Sequence, residues 1–537
     1  MTLHSKSHIL RTQRLTACHA ALALAAATGP FPLTAQAPTR DWRPADRVVV
    51  GDFSTITSVA AASDRIYATS PDQLLIRQAS FREWEGTVDP PDPGLLRGVF
   101  VALADPLDNS LWLAKPNAWV HYEPDLRLWT SGAAPGRVSG IAFDLSNPLG
   151  GLLLRTTGGW FEVARGGAAA TATSAPARPL LPVSAQQFLQ QHPSVAAMSS
   201  AFLLDGRMRQ AEFTSAAQSF DRQGWYLGTA GAGLFYLQEG AAIPERLSFG
   251  VRGPSVSALF AAPGGIWAAS EATVGNYAAM TYASSDLREF RYLQGPPATG
   301  LPFATVRRVV GMARSLWLAT DQGLARMDPG SGRVEMVDRG RGLPDSRVYD
   351  VMSRQGWIGV ATAHGAARVS DSLEVFRVAP SFNDAAYAIS ISADTTWIGT
   401  GLGIFYTVGR TGDLLRPSGT ASAEFQEPVL QIAWLGDTLV ALARSRLFWR
   451  DSRGGWHHDT ELTSVLGDLR SMRVDGPGVW LAGEKGFGFS RPGFPVSRVF
   501  GIGDIPADAR DVAVDADYIW VATGNGLVRF AREAIRP

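Results

Sequence analysis

The chain contains almost no cysteine and very little lysine. Its single cysteine, Cys18, lies in an N-terminal segment that we expect to be removed, which excludes disulfide bonds and thiolate metal sites from the mature protein. Lysine occurs only at positions 6, 115 and 485, so arginine supplies nearly all of the positive charge. Lys plus Arg and Asp plus Glu both number 49, so the formal net charge is zero. Without a basic surplus, a general attraction to nucleic acid is not expected.

Long apolar runs are also absent after the N-terminus. Residues 15–28 form a short apolar run behind three basic residues, and positions 35–37 read Ala-Gln-Ala, the small-x-small form of a cleavage site. The run is too short to span a bilayer comfortably, and no later stretch of about 18 apolar residues follows it. We therefore expect residues 1–37 to be a signal peptide, with cleavage near Ala27 as the alternative. The mature protein is then periplasmic or secreted, without a transmembrane segment.

The sequence is rich in a repeat of about 40 residues that is marked by tryptophan. Each copy reads Trp, an aliphatic residue, Ala or Gly, and often Thr, as at positions 317–320, 397–400 and 520–523. Because copy after copy places Trp at one strand position, we expect these side chains to be core residues that pack between repeats. The tryptophans assigned to this position are Trp225, Trp267, Trp317, Trp357, Trp397, Trp480 and Trp520.

A short turn with glycine follows each tryptophan motif. We expect Gly233, Gly323, Gly403 and Gly526 to supply the positive φ that tight hairpins require. One apolar run precedes the motif and two more short runs follow the turn, so each copy holds four short strands. A repeat of this length made only of short strands is typical of a β-propeller blade.

Eleven copies are visible, of which six regular ones are centred on positions 317, 357, 397, 439, 480 and 520. Because one propeller usually has about four to eight blades, the sequence predicts an all-β protein with two propellers of about six four-stranded blades each. We place the first propeller at residues 38–300, with degenerate blades and an insertion at about 166–200, and the second at 301–537. The Gly- and Pro-rich stretch 295–302 is the expected boundary, and the insertion is the alternative.

Two stretches resemble a known repeat family. Residues 342–348 read Gly-Leu-Pro-Asp-Ser-Arg-Val and lead to Gly-Trp-Ile-Gly at 356–359, while residues 320–324 read Thr-Asp-Gln-Gly-Leu. These resemble the two-component-regulator propeller repeat, which has a Gly-Leu-Pro-Ser-Asn-x-Val stretch, then Leu-Trp-Ile-Gly-Thr and a Gly-Leu turn. The resemblance covers most of the mature chain and implies exported sensory propellers, often joined through a membrane helix to a histidine kinase. We expect neither a second membrane helix nor a kinase in this chain, and similar stand-alone exported propellers act as binding or scaffold modules.

We identify no catalytic, cofactor-binding or metal-binding residues in the sequence. Positions 457–459 read His-His-Asp, but adjacent residues on a strand point to opposite faces, so the two histidines would not hold one ion. Positions 515–517 read Asp-Ala-Asp without the spacing of a calcium loop, which indicates a hairpin turn.

The sequence therefore favours a non-catalytic binding, interaction or sensory module of the bacterial cell envelope, with an unknown protein or glycan partner and no nucleic acid. The alternative is a propeller enzyme, a glycan hydrolase or lyase with acid–base residues in a central funnel. A funnel lined by Ala, Gly and Ser would favour binding. Converging carboxylates, His or Arg with shifted pKa values would favour catalysis.

Overall fold

A computed structural model describes residues 42–80, 83–204, 209–271, 279–294, 305–409, 412–420, 423–459 and 461–537. Within these residues the chain forms eleven antiparallel sheets, most of them with four strands. The predicted all-β propeller fold is confirmed. The expected signal peptide, residues 1–37, lies outside the described residues.

Each sheet is one blade, numbered here by the chain order of its first, innermost strand. Blade 1 contains Ser58–Ala61, Arg65–Thr69, Leu74–Gln78 and Trp84–Val88. Blade 2 contains Val101–Ala104, Leu111–Lys115, Ala118–Glu123 and Leu128–Ala133. Blade 3 contains Val138–Asp144, Leu152–Thr156, Gly159–Val163 and Ala170–Thr173, with the short strand Pro179–Leu180 added to its inner edge. Blade 4 contains Glu212–Gln218, Gly224–Ala230, Leu234–Gln238 and Glu245–Leu247.

The remaining seven blades follow in order. Blade 5 contains Val256–Ala262, Gly265–Ser270, Ala279–Ser284 and Phe290–Gln294, and blade 6 contains Val306–Met312, Ser315–Thr320, Gly323–Met327 and Val334–Val337. Blade 7 contains Val348–Arg354, Trp357–Thr362, Gly365–Ser370 and Val375–Val378, and blade 8 contains Ala386–Ser392, Thr395–Thr400 and Gly403–Val408. Blade 9 contains Val429–Leu435, Thr438–Ala443, Leu447–Arg450 and Trp456–Asp459, and blade 10 contains Leu469–Asp475, Gly478–Gly483, Gly486–Ser490 and Ser497–Gly501. Blade 11 contains Ala509–Val514, Tyr518–Thr523, Gly526–Ala531 and the N-terminal strand Arg47–Val50.

Helices in the described residues are few and short. The α-helices are Ala185–Gln191, Pro193–Phe202, Leu462–Leu466 and Arg532–Ile535. The 3-10 turns are Pro44–Asp46, Pro93–Leu95, Arg339–Arg341 and Ala423–Phe425.

The threonine of the repeat explains why its hairpin forms at a fixed place. In blade 6 the Thr320 hydroxyl donates to the carbonyl of Gly323 at 2.6 Å and accepts from the backbone N–H of Gln322 at 3.2 Å. Gly323 has φ of +143°, which a residue with a side chain adopts only with strain. The same threonine-to-glycine bond recurs in blades 4, 7, 8 and 11, where the other turn glycines also have positive φ.

The eleven inner strands form two circuits. Those of blades 5 to 11 contact one another in sequence, and blade 11 contacts blade 5 to complete the large ring. In blades 1 to 4, blade 1 contacts both blade 2 and blade 4, and blade 2 contacts blade 3. Pro179–Leu180 pairs with the inner strand of blade 3, and Val183 bridges to Ala216 of blade 4, so this segment closes the small ring.

The N-terminal strand closes the large ring. Arg47–Val50 pairs antiparallel with Gly526–Ala531, the third strand of blade 11, which joins the two ends of the described chain. The small ring is therefore inserted between the first strand of the large ring and the rest of it. Blade 11 and blades 1, 4 and 5 share one hydrophobic cluster that includes Val50, Ile66, Leu234 and Trp520.

This packing differs from the division that we predicted at residue 300. The stretch 295–302 falls within residues 295–304, which lie outside the described residues. The contacts place blade 5 and Arg47–Val50 with the C-terminal blades, so the sheets divide into four and seven and not into two sets of about six. The local repeat pattern could not predict this division, because the strand Arg47–Val50 is separated from its pairing partner, Gly526–Ala531, by almost the whole chain. We propose a domain division that follows the two rings.

Strand pairing places five of the seven predicted tryptophans opposite the same position of the neighbouring inner strand, and we call this position the repeat frame. These five are at most 5% exposed, and they are Trp267, Trp317, Trp397, Trp480 and Trp520. Trp225 and Trp357 differ. In blade 4 the frame position is held by Tyr226, so Trp225 faces the opposite side of the sheet and packs against Phe188 at 5.3 Å. In blade 7 it is held by Gly359, and Trp357 begins the strand two residues earlier and is only half-buried. A Cβ at Gly359 would lie 3.1 Å from Ile391 and 3.3 Å from Ile389 of blade 8, so a side chain there would require these neighbours to shift.

Candidate functional site

A cavity of about 460 Å³ lies at the centre of the small ring. The inner strands of all four blades supply its walls, and residues 175–184 supply the rest. This size falls within the range of about 300–1,000 Å³ that small-molecule sites occupy. The wall residues that recur below are Ser58, Gly140, Arg155, Trp160, Thr214 and Ser215.

The segment 175–184 is held in place by the helix that follows it. Ser184 caps the helix Ala185–Gln191, since its hydroxyl accepts the N–H of Gln187 at 3.1 Å and the Gln187 side chain binds back to the Ser184 N–H. This helix lies within the insertion that the sequence predicts at about 166–200. Phe188 is fully buried and packs on Trp225, which anchors the helix on blade 4. Part of the insertion expected at about 166–200 therefore builds one wall of the cavity.

The cavity walls combine apolar surface with hydroxyl groups. Ser58 and Thr214 already use their hydroxyls, which bond to Thr69 and to the Ile56 carbonyl. The Ser215 hydroxyl is buried and has no hydrogen-bond partner among the described residues. Neither a carboxylate nor a histidine is among the described wall residues.

One cationic group reaches this cavity. Arg155 is exposed, and none of the described acidic residues forms an ion pair with it. It lies directly across the hairpin from Trp160, which is half-buried at the same wall. A bound molecule can therefore meet an aromatic face and a guanidinium group beside the apolar wall residues.

The channel of the large ring has a different lining. Three polar side chains there each accept a backbone N–H from the next inner strand: Asp350 from Ile389 at 3.2 Å, Gln431 from Met472 at 2.7 Å, and Asp511 from Leu259 at 2.8 Å. Because every bond crosses from one blade to the next, these residues hold the ring together. We call this set, with Arg308, Arg473 and Ser471, the channel belt.

The two carboxylates of the channel belt, Asp350 and Asp511, lie near its two arginines, Arg308 and Arg473. Arg308 lies 3.6 Å from a carboxylate oxygen of both Asp350 and Asp511. Burial nevertheless raises the pKa of Asp350 to about 6, and burial together with the nearby Arg308 lowers the pKa of Arg473 to about 10. The Arg473 Nη2 group is buried and has no hydrogen-bond partner among the described residues. Charged groups with shifted pKa values thus converge in the large ring, as an acid–base site would require, but its carboxylates are engaged in blade contacts.

The other sequence candidates do not assemble a site. His457 bonds to Asp451 at 2.9 Å and stacks on Trp449, while His458 packs against Phe425. Asp515 accepts the N–H groups of its own hairpin turn and of the Trp520 indole at 2.7 Å. In the described part of the chain, no group of three or more His, Cys, Asp or Glu side chains is placed to hold a metal ion.

Comparisons with known proteins give fold neighbours at low identity. No family model matches the chain, and no curated protein matches it. The extracellular domain of the hybrid two-component system BT4673 from B. thetaiotaomicron is 13% identical, with a TM-score of 0.43 over 89% of this chain and 70% of that one. A second structure of a BT4673 extracellular domain, described as a one-component system, is 15% identical with a TM-score of 0.34 over 88% and 69%. The computationally designed protein Ika8 is 11% identical with a TM-score of 0.39 over 60% and 97%.

None of the helices among the described residues is long and apolar enough to cross a membrane.

Proposed function

We propose that this protein is an exported, non-catalytic binding module that takes up a small, largely apolar molecule in the cavity of the small ring. The observation that carries the proposal is the cavity itself, which is lined by four inner strands and by residues 175–184. Its walls match the lining that favours binding over catalysis, with Ala, Gly and Ser and without a carboxylate among those described. The charged, apolar and small-residue order of the N-terminus supports export to the periplasm or beyond.

The wall chemistry defines the ligand further. An aromatic or aliphatic body would contact the apolar strands and Trp160, whereas an acidic or carbonyl group would meet Arg155. Anilinonaphthalene sulfonate (ANS) has this combination of an aromatic body and an anionic group, so it is a suitable probe.

Gly140 provides a direct test of the cavity. A Cβ atom added there meets nothing within 4 Å, so Gly140→Trp directs a large side chain into the open space with little strain on the fold. The control is Gly158→Leu in the same blade, a turn residue that is not among the described wall residues and whose added Cβ makes only ordinary contacts of 3.7 Å and more. We expect saturable ANS binding by the wild type and by Gly158→Leu, and loss of that binding in Gly140→Trp. Absence of saturable binding, or binding unchanged in Gly140→Trp, would refute the proposal.

A second candidate function is a propeller enzyme acting on glycans, and the channel belt is the observation that favours it. Asp350 has the raised pKa of a general acid and lies near two arginines. Against this, Asp350 is buried and accepts the backbone N–H of Ile389. A catalytic cycle that used this carboxylate would leave that N–H without its hydrogen-bond partner. Hydrolysis or elimination of a polysaccharide by the mature protein, abolished by Asp350→Asn in a folded variant, would establish the enzyme and overturn our preferred reading.

A further inference from the structure

The seven inner strands of the large ring share a β-bulge at the same place. In each, the second residue is left out of the pairing register with the neighbouring strand. A bulge re-aims its side chain away from the regular pleat. The bulge residues therefore form one row around the end of the channel at which the inner strands begin, and they are Ser257, Arg307, Tyr349, Tyr387, Leu430, Arg470 and Arg510.

One arc of this row carries a continuous cationic and aromatic surface. The rings of Tyr349 and Tyr387 lie 5.1 Å apart between centroids, and the Arg307 guanidinium lies 5.7 Å from the centre of the Tyr349 ring. Arg307 is exposed, and both tyrosines are partly exposed. These three residues come from three successive blades, and we call them the platform.

The charge of the platform is not neutralised, unlike that of the opposite arc. There Arg470 pairs with Asp508, and Arg510 pairs with Glu271 at 2.6 Å and with Asp508 at 3.3 Å. Among the described residues no acidic side chain pairs with Arg307.

A second unpaired arginine strengthens this contrast. Arg347 lies two residues before Tyr349, at the same end of the channel, and is also exposed without an acidic partner for its guanidinium among the described residues. A chain with zero net charge thus concentrates two unpaired cations beside two tyrosines.

We propose that the platform docks an acidic segment of a partner protein that also contributes an aromatic side chain. Tyr and Arg are the residues that most often supply the binding energy of protein interfaces. A guanidinium stacked on an aromatic ring keeps its N–H fork free for a carboxylate, and an unneutralised positive patch attracts acidic partners. The platform spans three blades, which suits an extended segment. This inference is independent of the cavity in the small ring.

The test is a selection of random dodecapeptides displayed on phage, using the mature protein as the target. It is run in parallel on the double variant Arg307→Gln/Arg347→Gln and on Arg377→Gln, an exposed arginine on the outer strand of blade 7. Selected peptides are then synthesised, and their affinities are measured by fluorescence anisotropy. Thermal melts verify that every variant is folded.

We expect the wild type and Arg377→Gln to enrich peptides that combine Asp or Glu with an aromatic residue. Their affinity should fall about fivefold for Arg307→Gln, since an exposed ion pair contributes up to about 1 kcal/mol. It should fall about tenfold for Tyr349→Ala. Enriched peptides without acidic residues, or equal affinity for the double variant, would overturn the proposal. So would displacement of the peptides by an acidic oligosaccharide at lower concentration, which would assign the platform to glycans.

Discussion

Alanine substitution of two tryptophans that are 40 residues apart in the sequence should have very different effects on stability. Trp317 is fully buried, and replacing such a side chain with alanine costs about 3–5 kcal/mol. Its Nε1 group has no hydrogen-bond partner among the described residues, so the substitution also removes an unsatisfied donor, which offsets about 1 kcal/mol. We therefore expect Trp317→Ala to lower the free energy of unfolding by about 3 kcal/mol.

Trp357 begins its strand two residues ahead of the repeat frame and remains partly exposed. It makes an edge-on contact with Phe376 at 5.4 Å, a type of pair that contributes about 0.5–1.5 kcal/mol beyond area burial. Allowing for incomplete burial, Trp357→Ala should cost about 1–2 kcal/mol.

The assay is urea denaturation of the mature protein and both variants, followed by far-UV circular dichroism. Equal losses in the two variants, or a loss below about 1 kcal/mol for Trp317→Ala, would refute the packing explanation and the register on which it rests.

The closing strand and the channel belt yield two more predictions. Gly526 has φ of +99°, and a Cβ added there would lie 2.7 Å from the Val50 carbonyl oxygen. Gly526→Ala should therefore lower the urea midpoint more than Gly356→Ala, where an added Cβ meets nothing within 4 Å. Equal effects would contradict the closure by the N-terminal strand. Burial raises the pKa of Asp350 to about 6, above its unfolded value, so the folded state holds this proton more tightly. That contribution to stability is complete in acid and lost as pH rises from about 4 through 6; Asp350→Asn should flatten the dependence of the urea midpoint on pH in this window, and an unchanged slope would contradict the assignment.

The blade repeat could be predicted because it is local. Each hairpin depends on residues within one copy, such as Thr320 and Gly323, so spacing alone located the strands and the five tryptophans that share a frame. Trp225 and Trp357 were misplaced because strand register follows the threonine cap and the bulge, not the interval between tryptophans. The Ala361-Thr362 pair followed by Gly365 was the signal that would have placed Gly359 in the frame.

The ring membership and the cavity could not be predicted in the same way. Arg47–Val50 completes the last blade from the far end of the chain, and a local pattern does not specify such long-range pairing. The cavity draws two or three residues from each of four inner strands, as with Ser58 and Gly140, and these residue types form no motif. The charged residues of the channel belt were overlooked for the same reason, since Asp350 and Asp511 come together only when the ring closes.

A crystal structure of the mature protein with bound ANS tests the central claim most directly. We predict that the dye lies within the small ring, with its aromatic body between the inner strands of blades 1 to 4 and beside residues 175–184. The sulfonate should lie within hydrogen-bonding distance of the Arg155 guanidinium. A dye bound only elsewhere, or a segment 175–184 that packs away from blades 3 and 4 and leaves no enclosed space, would contradict the account.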